Sequence, residues 1–161
     1  MAELYLVMPL SADNIAELAS FGVRPPAQLG MPRPLTPRQV LLAVRSVPGL
    51  EATVRRRPEK QLIRIDLSPP GTGNTRPAGS GTEISLVEVT TEDSPCQLEF
   101  RGGTATLVAS VAERIAAECG PIVIWPASGA PPFVCTGEPT DAQSGTADNR
   151  RSGQSPNESG C

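Results

Sequence analysis

Five cations crowd into ten residues: Arg55, Arg56, Arg57, Lys60 and Arg64. Guanidinium groups bond carboxylates and phosphates through paired N–H donors, so this stretch is the candidate partner-binding site. A single-stranded nucleic-acid site normally adds aromatic rings on which bases stack. None lies in the stretch, the whole chain holds one Tyr, one Trp and three Phe, and its pI is near 5.0. Nucleic acid therefore fits poorly and an acidic protein surface fits better. The plainer reading of such a charge run is a solvated hairpin tip.

A second set of candidates is acidic: Glu83, Glu88, Glu92 and Asp93. Paired carboxylates can serve glycoside hydrolysis or hold a hard cation. Here Glu92 and Asp93 fall in a turn ahead of Pro95, where exposed acids are ordinary, and no further acid, base or ligand accompanies them. Gly71-Thr72-Gly73-Asn74 is not a phosphate loop, because Arg76-Pro77 follows where Lys-Ser or Lys-Thr and a helix start are needed.

Cysteine chemistry has little to work with. The chain has no His and a single lysine, Lys60, so a thiol lacks its usual activating base. Cys119 closes a predicted helix, where the dipole disfavours a thiolate. Cys96, Cys119, Cys135 and Cys161 follow neither a disulfide frame nor a zinc spacing. Cys96 and Cys119 occupy apolar positions and read as small core hydrophobes. No catalytic residue, metal or cofactor is assigned on these grounds.

Positioning the cations falls to a hairpin. Ala52 and Val54 alternate with Glu51, Thr53 and Arg55, and Ile63, Ile65 and Leu67 alternate with Arg64 and Asp66. Period-two alternation of this kind is a half-solvated sheet, with Arg57-Pro58-Glu59-Lys60 as the turn. The strongest helix runs from Thr104 to Cys119, with Leu107, Val108, Val111, Ala112, Ile115, Ala116 and Cys119 at spacings of three and four. Gly120 suits a left-handed exit and Pro121 blocks continuation. Ile122 to Trp125 then reads as a strand covered on both faces, and Leu4 to Met8, closed by Pro9, reads as a buried strand near the start.

Further elements follow from caps and periodicity. Ser11 opens a short helix to about Ser20, with Ile15, Leu18 and Ala19 inward. Thr36-Pro37-Arg38-Gln39 opens another, with Pro37 at the first position and Gln39 able to complete a capping box. The four prolines between residues 22 and 35 make an extended connector. Thr82 to Thr90 is a strand whose apolar phase shifts at Val87, the pattern of a bulge or of a strand covered on both faces. Cys96, Leu98 and Phe100 alternate with polar residues in the next strand, and Phe133 to Cys135 is a short peripheral one.

The composition bounds the rest. With 161 residues, 39% hydrophobic, 15 Gly and 18 Pro, the expectation is one folded body with long irregular segments. Residues 136–161 hold no large apolar side chain and are expected to be disordered, as is the loop 68–81. Residues 1–67 carry +3 and the remainder −6, a modest asymmetry. The Arg-for-Lys bias, with abundant Ala, Gly and Pro, is compatible with a GC-rich bacterial gene. Glu3 precedes the first apolar run and no basic region leads it, so no signal peptide is read. No run approaches the roughly 18 apolar residues of a membrane span, and the cytoplasm is the expected compartment.

The expected fold is α+β: a largely antiparallel or mixed sheet with two principal helices on one face, in the order β-α-α-β-β-loop-β-β-α-β-β. A single domain spans 1–135. The expected function is a small, non-catalytic protein-binding module, regulatory or immunity-type, whose partner is another protein, with an acidic one fitting best. The alternatives are a carboxylate enzyme using a divalent metal, and a homodimeric structural subunit that pairs its strand edges.

Overall fold

The computed structural model describes residues 2–26, 33–71 and 79–137. In chain order the elements are β1 (Leu4–Pro9), α1 (Ala12–Ser20), α2 (Pro37–Arg45), β2 (Glu51–Arg57), a 3-10 turn (Pro58–Lys60), β3 (Leu62–Ser68), β4 (Thr82–Val87), β5 (Gln97–Arg101), α3 (Ala105–Cys119), β6 (Ile122–Pro126) and β7 (Phe133–Cys135). The strands form one sheet in the order β2-β3-β4-β5-β1-β6-β7. Every neighbouring pair is antiparallel. The α+β class with an antiparallel sheet is thus what the chain adopts.

Helix starts follow the side chains that satisfy their free N–H groups. Thr36 accepts the Gln39 N–H and Pro37 occupies the first turn of α2. The Gln39 side chain does not close a capping box; its Oε1 accepts from the Thr36 hydroxyl instead, at 3.1 Å. Thr104 Oγ1 accepts the Leu107 N–H at 3.2 Å to open α3. Gly120 ends α3 with φ 92° and ψ 177°, which is not the left-handed helical exit expected but an extended positive-φ conformation reserved for glycine.

One face of the sheet is covered by α2 and α3, which pack on each other. Val40, Leu41 and Val44 of α2 and Val108, Val111 and Ile115 of α3 meet Ile63, Ile65, Ile84, Leu86, Leu98 and Phe100 in the main core. Helix α1 departs from this arrangement. Leu10 and Leu18 pack with Val123, and Ile15, Trp125 and Val134 join them in a separate cluster. Because Val123 and Trp125 alternate with Ile122 and Ile124 of the main core, α1 lies on the opposite face, over β6 and β7. Ala19, expected inward, is exposed.

Two strand readings need correction. β4 stops at Val87, and the phase shift read as a bulge is its exit turn, where Glu88 takes φ 61°. β1 is apolar throughout but not covered twice: Tyr5 and Val7 are buried, whereas Leu6 and Met8 are 38% and 44% exposed. Among the described residues no helix is long and apolar enough to cross a membrane. Residues 72–78 of the expected loop and 138–161 of the expected tail lie outside the described residues.

Candidate functional site

The strand register lines up the side chains of the open sheet face in rows. One row runs Arg55, Arg64, Ser85, Glu99, Leu6, Trp125 from β2 to β6. Beside it, Thr53, Asp66, Glu83, Arg101 and Leu4 form a second row. On the other side Arg57 faces Leu62, Val87 faces Gln97, and Met8 faces Val123. The face is therefore graded: cationic on β2 and β3, mixed in the middle, apolar on β1 and β6. With neighbouring strands about 4.8 Å apart, β3 and β1 lie about 14 Å from each other.

Three of the five candidate cations come together on this face. Arg55 and Arg64 are directly opposed, and Arg57 stands two residues along β2. Directly opposed like charges are unfavourable unless an anion intervenes. Among the described residues none of the three enters an ion pair. Lys60 sits in the exposed 3-10 turn at the end of the hairpin. Arg56 is on the other side of β2, because alternation groups it with Ala52 and Val54. Its guanidinium reaches Glu92 at 2.5 Å.

That contact belongs to a small network. Glu92 also lies 3.8 Å from Arg38, and Arg38 holds Asp93 through two hydrogen bonds of 2.7 and 3.1 Å. The hydrogen bond from Arg38 holds the Asp93 carboxyl below its ordinary range. Backbone bonding reinforces it: the Arg38 N–H donates to the Glu92 carbonyl at 2.9 Å. The network thus clamps the β4–β5 connection onto α2. Of the other candidate acids, Glu88 accepts from Gln97 Nε2 at 2.9 Å and Glu83 lies on the open face. Among the described residues no group of three or more His, Cys, Asp or Glu is placed to hold a metal ion.

The thiols are placed for packing. Burial pushes Cys119 and Cys135 up to about 12 and Cys96 to about 11. Neighbouring carboxylates, Glu118 for Cys119 and Glu113 for Cys135, act in the same direction. All three are protonated at neutral pH, so none is a ready nucleophile.

The apolar end of the open face was missed by sequence reasoning. Its exposed members are Leu6, Met8 and Phe21, and Phe21 meets Trp125 edge-on with ring centroids 5.9 Å apart. Beyond the Val7–Leu98 pair, β1 and β5 diverge. A hollow of about 340 Å³ opens there between Leu6, Met8, Leu35, Cys96 and Glu99. A second hollow of about 350 Å³ lies behind the hairpin, between Arg56, Gln61, Ile63, Val89 and Glu92. Compared with known proteins, the chain matches no protein-family model, no curated protein and no solved structure.

Proposed function

We propose that the chain is a non-catalytic protein-binding module whose docking surface is the open sheet face. The observation that carries this is the pairing of two unsatisfied ends on one surface. Leu6 and Met8 are exposed on an interior strand beside the 340 Å³ hollow. At the other end Arg55, Arg57 and Arg64 stand without an ion pair among the described residues. Exposed contiguous apolar surface rimmed by polar groups commonly marks a docking site, and Arg is favoured where carboxylates must be gripped. The partner brings apolar side chains to β1 and carboxylates to β2 and β3.

The carboxylate-enzyme reading has less support, since Glu92, Asp93 and Glu88 are each occupied in bonds within the chain. The test is affinity capture with the full chain as bait, beside Arg55→Glu/Arg64→Glu, Leu6→Thr/Met8→Thr and Lys60→Glu. A protein held by the parent and by Lys60→Glu, and lost by both double variants, is the expected result. A protein held equally by all four baits, or no enrichment at all, overturns the reading.

A further inference from the structure

We propose that two copies of the chain join through β2, antiparallel about a two-fold axis at Val54, so that their sheets become continuous. This goes beyond the docking reading and does not depend on it. Among the described residues β2 ends the strand order and pairs only with β3. Every one of its seven residues is exposed or half-buried. Such an edge offers a row of backbone N–H and C=O groups to another strand, and proteins usually guard it with charge.

The charge on β2 guards it selectively. With Val54 on the axis, Glu51 of each copy falls opposite Arg57 of the other, so the contact occurs twice. Thr53 falls opposite Arg55 and Ala52 opposite Arg56, so no Arg meets Arg. Glu51 and Arg57 share the open face, where opposed side chains stand about 5 Å apart. Neither enters an ion pair among the described residues. Centring the pair on Arg55 instead sets Arg55 against its own copy. A parallel pairing in register runs the three arginines alongside one another. Centring on Thr53 sets Glu51 against Arg55 but pairs only five of the seven residues, leaving Arg56 and Arg57 beyond the other strand. The Val54 register alone pairs all seven residues with opposite charges facing, which is the self-complementarity a closed two-fold interface needs.

The joined sheet carries two open faces side by side on one particle, leaving Arg55 and Arg64 of each copy available. A seven-residue strand pair falls short of the roughly 800 Å² per partner of a standard interface, so the dissociation constant is expected on the order of 10–100 µM.

Sedimentation equilibrium of the full chain under reducing conditions, at concentrations bracketing that range, is the test. The parent is expected to dimerise reversibly. Glu51→Arg and Arg57→Glu each create two like-charge contacts and should weaken the dimer about tenfold or more. The double swap Glu51→Arg/Arg57→Glu restores attraction and should recover the parent constant. Both positions are exposed, and circular dichroism confirms that each variant is folded. A monomer at every concentration overturns the proposal. So does a dimer indifferent to the single reversals, or a double swap as weak as either single variant.

Discussion

Three consecutive residues of β1 offer a direct check on the open face. Leu6, Val7 and Met8 point alternately outward and into the core, and threonine suits a strand at each position. At Val7, which is 6% exposed, Thr keeps the shape and leaves no cavity. The cost there is a hydroxyl desolvated among apolar groups, about 1–3 kcal/mol, plus a lost methyl at about 0.8 kcal/mol. Val7→Thr should therefore destabilise by about 2–4 kcal/mol. At Leu6 and Met8 the new hydroxyl stays in water, and the aliphatic groups removed are already 38% and 44% exposed as residues. Each of these substitutions should cost less than about 1 kcal/mol. The assay is urea unfolding followed by far-ultraviolet circular dichroism. Trp125 lies directly across from Leu6, so its fluorescence would respond to the substitution itself. Equal m values make the midpoints comparable. If Leu6→Thr or Met8→Thr costs as much as Val7→Thr, the face is covered in the isolated protein and cannot be the free surface a partner docks on.

Two further outcomes are expected. Gly137 lies at φ +77°, and a Cβ there would stand 2.4 Å from the Ala117 nitrogen and 2.6 Å from the Ala116 carbonyl carbon. Its N–H also donates to Glu113 at 2.9 Å. Gly137→Ala should cost about 3 kcal/mol, from the positive φ and the displaced bond to a charged acceptor, whereas Gly129→Ala, equally positive in φ but with open space around it, should cost about 1 kcal/mol; equal midpoints in urea would refute the close approach. The second outcome concerns pH. Cys119 and Cys135 hold their protons until about pH 12 when folded, against an ordinary thiol value near 8.5 when unfolded. The unfolded chain thus loses protons first, so stability is unaffected below that ordinary value and falls as pH rises above it towards 12. Unfolding free energy should drop by roughly 2 kcal/mol per buried thiol between pH 8 and 10, and Cys119→Ala should flatten the slope; a profile unchanged by that substitution would count against the burial argument.

Local pattern carried much of this architecture and failed where cover was concerned. Alternation alone placed the two strands of the hairpin, and it also held the information that Arg56 turns away from Arg55 and Arg57, since Arg56 shares the parity of Ala52 and Val54. What it could not show was Glu92 arriving from 36 positions further along the chain to bind that guanidinium. β1 and β6 make the same point on a larger scale. Leu4 to Met8 and Ile122 to Trp125 are both unbroken apolar runs, the pattern of strands buried on both faces. Only β6 is covered twice. Helix α1 has nine residues, about 14 Å of length, which spans about three strand spacings of a seven-stranded sheet. It settles over β6 and β7, and among the described residues Leu6 and Met8 of β1 stay part-exposed. An apolar run records what a strand requires around it, not whether the chain supplies it. Two helices cover one face of this sheet and one short helix covers the end of the other. Among the described residues the demand written into Leu6 and Met8 is therefore met only in part, and the partner proposed above would meet the rest, with carboxylates for the arginines across the same face.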